Sequence, residues 1–289
     1  MTKVKIMVDT TASIPMDLAR KYDIKIIPAA DYVINGKKYI ENETLTIKDA
    51  YKLIRQDSVK FVTSAVTPGQ VLDAYKELSR DGADILFITI SSKLSAVDKS
   101  GTMAAAIFKE QSPNINVKVI DSKSVSGGAG LPALAAAKAA TEGKNMEEVT
   151  AIADNYLKQT KCLITMDTLR YIYRVGRMSK LGARMASMLN IRPINEVKPD
   201  GTIEMVERAR SREAVMKRIV ELVKERTTGD NLTFMISHGD APDLVEKLIA
   251  ILKQNLKCQE FIIGDYSPIM GYGGGPGAMC IAWHPEMKL

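Results

Sequence analysis

Residues 83–121 read ADILFITISSKLSAVDKSGTMAAAIFKEQSPNINVKVID, and their pattern decides the fold class. The stretch 83–91 is a continuous apolar run that ends in serines, as a strand buried on both faces does. Residues 98–111 carry a helical pattern, and 115–121 is a second apolar run. Strand, helix, strand in that order is the unit from which parallel sheets are built. Working toward the N-terminus, 5–9 and 24–29 read as buried strands, and 47–56 and 68–80 as helices with their apolar residues on one face. Asn35-Gly36, between two β-prone runs, predicts a hairpin with a type I′ turn. Working toward the C-terminus, an Ala-rich helix over 125–142 completes the first unit, an α/β domain with a parallel sheet covered by helices on both faces.

The second half is expected to be another α/β domain. A strand at 161–166 precedes two short helical stretches between 167 and 190. Asp200-Gly201 predicts a second hairpin, and 211–226 an amphipathic helix with Val215, Ile219 and Val223 on its inner face. Strand 231–237, helix 241–255 and strand 260–267 follow, then a glycine-rich segment and a last strand at 279–283. The domain boundary is placed at 160, giving domains 1–160 and 161–289 with a ligand cleft between them.

Composition narrows the function. Of 289 residues, 46% are hydrophobic and 26% charged, with a net charge of +6, so the chain is globular and compatible with an anionic ligand. Basic residues are spread out, denser only between Arg170 and Arg192, and no helix-turn-helix pattern accompanies them; nucleic acid is not an expected partner. No apolar run approaches the ~20 residues that span a bilayer, and no leader precedes the first strand, so a cytoplasmic location is expected. Cys162, Cys258 and Cys280 are too few and too separated in sequence for a disulfide framework or zinc site, and each reads as a buried thiol. Only two histidines exist, His238 and His284. That rules out a His-rich metal site and leaves few routes to nucleophilic catalysis. No cofactor is expected.

Three constellations can carry chemistry. Thr63-Ser64 precede Thr67-Pro68-Gly69-Gln70, a capping box with proline at the first helical position. Ser91-Ser92-Lys93-Leu94-Ser95 stand at the carboxyl end of a strand, where open α/β sheets bind ligands. Gly271-Tyr272-Gly273-Gly274-Gly275-Pro276-Gly277-Ala278 demands positive φ, close backbone approach, or both. It is neither a P-loop nor a dinucleotide fingerprint, and no GxSxG elbow occurs. On residues alone, the hydroxyls are compatible with local backbone capping as well as with an anion site.

In this order the motifs resemble the DegV family of bacterial fatty-acid-binding proteins. The resemblance takes in Asp9-Thr10-Thr11-Ala12-Ser13, Thr63-Ser64, Ser91 to Ser95 and Asp121-Ser122. It continues through Asp167-Thr168-Leu169, Arg174-Val175-Gly176-Arg177-Met178, Leu189-Asn190-Ile191-Arg192-Pro193-Ile194 and Gly271 to Ala278, and so covers nearly the whole chain. It implies two α/β domains and a cleft that holds one long-chain fatty acid, presented to a fatty-acid kinase for acyl-phosphate formation, with no catalysis by the carrier. Carried over by motif, Thr63 and Ser92 would bond the carboxylate, Ser64 and Ser95 would support them, and Arg177 would lie at the mouth or a partner surface. Where the family has histidine in its glycine-rich motif this chain has Gly273, and Tyr272 or Arg177 would replace that donor. Ala96-Val97-Asp98 also departs from the family pattern and brings a carboxylate close to the head group. Met178, Met185 and Met188 would supply flexible thioethers to the acyl tail. The alternatives are a small-molecule kinase or phosphotransferase, or a binder of another ligand, using the same cleft, and a lipid-responsive regulator acting through 170–192.

Overall fold

A computed structural model describes residues 3–41, 44–56, 60–177, 191–227 and 231–285. Met178, Met185 and Met188 lie outside the described residues.

The first half opens with β1 (Val4–Asp9), α1 (Met16–Lys21), β2 (Ile24–Ile27), β3 (Ala30–Ile34), β4 (Lys37–Tyr39) and α2 (Ile47–Ile54). It continues with β5 (Phe61–Ala65), α3 (Pro68–Leu78), β6 (Asp84–Thr89), α4 (Val97–Gln111), β7 (Val117–Asp121), α5 (Gly127–Thr141) and α6 (Met146–Gln159). Strands β2-β1-β6-β7 form a sheet parallel throughout, as the strand–helix–strand reading expects. The expected hairpin is present as β3 and β4, and β5, which has no counterpart in the sequence reading, pairs with β3 to complete a separate antiparallel sheet β4-β3-β5. Its hairpin turns on Asn35 and Gly36, both at positive φ (50° and 82°), which a type I′ turn requires.

The second half comprises β8 (Lys161–Thr165), α7 (Arg170–Arg174), β9 (Arg192–Val197), β10 (Ile203–Ala209), α8 (Arg212–Arg226), β11 (Leu232–His238), α9 (Pro242–Asn255), β12 (Cys258–Asp265), α10 (Pro268–Gly274) and β13 (Met279–Pro285). Its sheet has the order β10-β9-β8-β13-β11-β12. Only β11 and β12 pair in parallel, through the α9 crossover; every other neighbour is antiparallel. The Asp200-Gly201 turn joins β9 to β10, with Gly201 at φ +87°.

Helix α6 is absent from the sequence reading, although its signal is present. Asn145 caps it and Glu148 returns a bond to the Asn145 N–H, a complete capping box. Helix α5 explains the continuity of the two halves. Twelve of its fifteen residues are buried, because it packs on strands of both large sheets. Leu131, Leu134 and Ala135 share one apolar cluster with Ile6 and Val8 of β1 and with Met235 and Ala282 of β11 and β13. A polar face has no place on such a helix.

Candidate functional site

A cavity of about 280 Å³ lies where the halves meet, near the lower end of the ~300–1,000 Å³ typical of small-molecule sites. Its wall is predominantly apolar: Ala29, Ala30, Ile90, Leu94 and Val125 from the first half, with Ile164, Met166, Ile172, Val175, Ile203 and Ile269 from the second. Polar side chains enter it from few places, chiefly Thr11, Thr63, Ser95 and Arg177.

Thr63 reaches the cavity because β5 alternates. Phe61, Thr63 and Ala65 face inward, while Val62 and Ser64 are exposed. Pleating therefore puts Ser64 on the face opposite Thr63, away from the cavity. The turn after β6 makes a comparable choice. Ser91 is buried and donates to the Gly201 carbonyl at 2.8 Å. Ser92 is exposed, and its N–H donates to Asp121 at 3.1 Å. The N–H groups of Leu94 and Ser95 both bond the Ser91 carbonyl, and the turn so formed presents Leu94, Ser95 and Ala96 to the cavity. Ser95 rather than Ser92 is thus the serine of this motif on the wall. Asp98 bonds Thr89 at 3.5 Å and stays off the lining.

Arg177 follows α7 and lines the cavity. Its Nε donates to the Leu94 carbonyl at 3.2 Å, and a terminal nitrogen bonds the Val175 carbonyl, tying the two halves at this wall. Tyr272 does not join it. Its hydroxyl donates to the Phe61 carbonyl at 3.1 Å, its ring stacks on Phe61 with centroids 4.6 Å apart, and the Arg174 guanidinium lies 4.0 Å from the ring centroid. Gly273 does line the cavity, and a Cβ there would meet only Val175, at 3.7 Å.

The glycine-rich segment has two roles. Gly271 to Gly274 finish α10, and Gly271 lets the helix approach Tyr51, whose hydroxyl oxygen a Cβ would meet at 2.6 Å and whose ring at 2.7 Å. Gly275 and Gly277 have φ of +80° and +83°, which only glycine adopts cheaply. Gly277 rests on Asp167, whose carboxylate accepts from Arg192 Nε and Arg212 Nε, each at 3.0 Å. Partial burial raises the Asp167 carboxyl, but the two guanidinium groups outweigh it and hold it below the usual carboxylate range. This ion cluster clamps the ends of β8, β9 and α8, and Asp167, Arg192, Arg212 and Gly277 stay off the cavity lining.

Sequence reasoning missed the residues behind Thr11. Buried Asp9 accepts from the Thr11 N–H at 3.0 Å, the Thr11 hydroxyl at 2.5 Å and the Ile90 N–H at 2.8 Å, so the ends of β1 and β6 are held in register at the wall. Beside it, buried Glu41 accepts from Thr10 and Tyr32, both at 2.9 Å. Burial raises the Glu41 carboxyl to about 7, against the lowering by those hydroxyls, and nearby Asp9 adds to the rise. A carboxyl whose folded pKa exceeds its unfolded value stays protonated in the folded state while the unfolded chain ionises. Its contribution is therefore complete below about pH 4.5 and falls until about pH 7. Glu41→Gln is expected to remove that dependence. Thermal melts from pH 4.5 to 7.5 should show the parent losing a few kcal/mol relative to the variant; parallel melting curves would refute the buried neutral carboxyl.

Among the described residues, no cluster of His, Cys, Asp or Glu could hold a metal ion. Neither histidine lines the cavity: His238 faces Asp265 at 3.6 Å, and His284 stacks on Tyr156 at 4.2 Å. No helix among the described residues is long and apolar enough to cross a membrane. Among the described residues, the cavity wall is mostly apolar and carries a few hydroxyls and one guanidinium.

Comparison with known proteins adds identity to this geometry. A DegV domain-containing protein of Clostridium perfringens is 30% identical over 98% of this chain and 99% of its own. A Thermotoga maritima protein, described as having a fatty acid binding function, superposes with a TM-score of 0.86 at 26% identity, over 99% of this chain and all of its own. DegV of Bacillus subtilis, described as a fatty acid binding protein, does so with 0.85 at 25% identity, over 99% of this chain and all of its own. The family described as "Uncharacterised protein, DegV family" matches residues 3–286, and the chain belongs to that family.

Proposed function

We propose that this chain binds one long-chain fatty acid, with the tail in the apolar cavity and the carboxylate at Thr63, Ser95 and Arg177, and that it presents the carboxyl group to a separate fatty-acid kinase. The observation that carries the reading is the cavity itself: an apolar enclosure between the halves, with the hydroxyls of Thr63 and Ser95 and the Arg177 guanidinium among the polar groups on its wall. Each CH₂ moved from water into such a wall contributes about 0.8 kcal/mol, so a long tail supplies most of the affinity. A carboxylate is a good acceptor for hydroxyls and for a guanidinium, and bonds to a charged acceptor are about twice as strong as neutral ones. In this reading the carrier presents the carboxyl group and the separate kinase performs the chemistry.

Native mass spectrometry of the purified protein, followed by denaturation and lipid extraction, tests it. A long-chain fatty acid released at about one per chain is expected. A protein that arrives empty and takes up no added palmitate contradicts the assignment. Incubation of the lone protein with ATP and palmitate should yield no acyl phosphate; product would move the chain into the kinase class.

Gly273 provides a second test. The position is open and its φ is not positive, so a side chain fits. Gly273→His should add a donor at the wall and tighten palmitate binding about tenfold, the value of one good hydrogen bond to a charge. Displacement of a fluorescent fatty acid would measure it.

A further inference from the structure

Cys162 and Cys280 are 118 positions apart in sequence, yet their Sγ atoms lie 3.2 Å apart in the folded chain. The pairing of β8 with β13 brings them together. Cys162 opposes Ala282 and Cys280 opposes Ile164, so the thiols sit two residues out of register on one face of the sheet. Both are free and buried. Helix α5 begins directly on top of them. A Cβ on Gly128 would fall 3.2 Å from Cys162 Cβ, and one on Gly127 would fall 2.9 Å from Ala282 Cβ, so only glycine lets the first turn come this close.

We propose that Cys162 and Cys280 form a redox-active dithiol that a small hydroperoxide converts to an intramolecular disulfide. The two sulfurs need to close from 3.2 Å to about 2.05 Å. Closing that gap takes rotation of both side chains and a small approach of the two strands, because the pair is diagonal across them. Cys280 is the attacking sulfur, because the Cys162 thiol is turned toward the Val125 carbonyl, 3.9 Å away, as a proton donor. Burial raises its thiol, but the Cys162 thiol, the Ser126 hydroxyl and the N–H groups of Gly127 and Gly128 at the start of α5 outweigh that and lower it, whereas Cys162 is raised. Thiolate character next to a helix start is what makes a cysteine nucleophilic.

The Cys280 thiolate attacks one oxygen of hydrogen peroxide, the O–O bond breaks, and the departing hydroxide takes up a proton to become water. The resulting sulfenic acid is attacked by Cys162, the S–S bond forms, and the sulfenic oxygen leaves as a second water. Two electrons pass from the thiols to the peroxide. Access is through the cavity: Val125, whose carbonyl lies 3.9 Å from Cys162 Sγ, and Ile164, next to Cys280 in the sheet, both line it. Cys258, at the start of β12 and only partly buried, has no such partner and serves as an internal control.

The experiment treats the purified full-length chain with hydrogen peroxide, then denatures and alkylates it for intact mass and peptide mapping. Of the three alkylatable thiols, two should be lost together, with a mass loss of about 2 Da that dithiothreitol restores. The peptides that contain Cys162 and Cys280 should become linked. In Cys162→Ser, dimedone should trap a sulfenic acid at Cys280. Treatment that oxidises Cys258 while Cys162 and Cys280 both still alkylate would overturn the proposal, as would over-oxidation of Cys280 without a bridge. The unmutated chain decides the question even if the serine variant folds poorly.

Discussion

A Thr63→Val, Ser95→Ala double variant is expected to bind palmitate about a hundredfold more weakly than the parent. Both side chains are on the cavity wall, brought there by the β5 pleat and by the turn after β6. A bond to a charged acceptor is worth roughly 1.5–3 kcal/mol. Removing two that share one carboxylate costs less than their sum, because Arg177 and water partly compensate. Valine preserves the shape of threonine, so the apolar enclosure stays intact and the loss reports on the head group alone. Isothermal titration calorimetry of delipidated protein would measure the difference. An unchanged dissociation constant would place the carboxylate elsewhere on the wall. Ser64→Ala and Ser92→Ala are the matched controls: both residues are exposed, and neither change should alter affinity beyond about twofold.

Gly275→Ala is expected to destabilise the fold by about 3 kcal/mol or more. Gly275 follows α10 with φ +80° and ψ 170°, a region essentially closed to residues with a Cβ. Any Cβ there would lie 2.1 Å from Cδ2 of Tyr171. Tyr171 belongs to α7, the helix that also carries Arg174 and leads to Val175 and Arg177. Relief of the clash therefore displaces one wall of the cavity as well as straining the backbone. Chemical denaturation would give the stability loss, and weaker palmitate binding should accompany it. Gly143→Ala is the control: its φ of +83° imposes the backbone strain, but nothing lies within 4 Å of the added carbon. If both variants lost equal stability, the Tyr171 contact would have no part in the effect.

Much of the secondary structure was legible because its signals are local. The apolar runs of β1, β6 and β11, the Asn35-Gly36 turn and the Thr67 capping box all sit within a few residues of one another, and the structure contains each. The motif order was equally legible, and the family match confirms it. Helix α6 shows a local signal overlooked rather than absent. The sheet β4-β3-β5 is different in kind, since β5 pairs with β3 across the whole of α2, and that pairing has no local signature.

The site was legible only as a list of candidates. Thr63, Ser95, Arg177 and Gly273 meet at one cavity; Ser64, Ser92 and Tyr272 do not. Residue type could not separate them. Ser64 is lost to strand alternation, Ser92 to the direction of one turn, and Tyr272 to a carbonyl 211 positions away. Expectations for the cysteines also changed: Cys258 is only partly buried, and Cys162 and Cys280, far apart in sequence, are in contact. By itself the sequence determined the α/β class, most elements and the family, because periodicity and motif order are properties of the chain read in one dimension. Only the tertiary structure decided which hydroxyls face the cavity, what Asp167 clamps and which thiols touch. Those outcomes depend on register and side-chain direction between distant segments, and both are set when the sheets and α5 pack together.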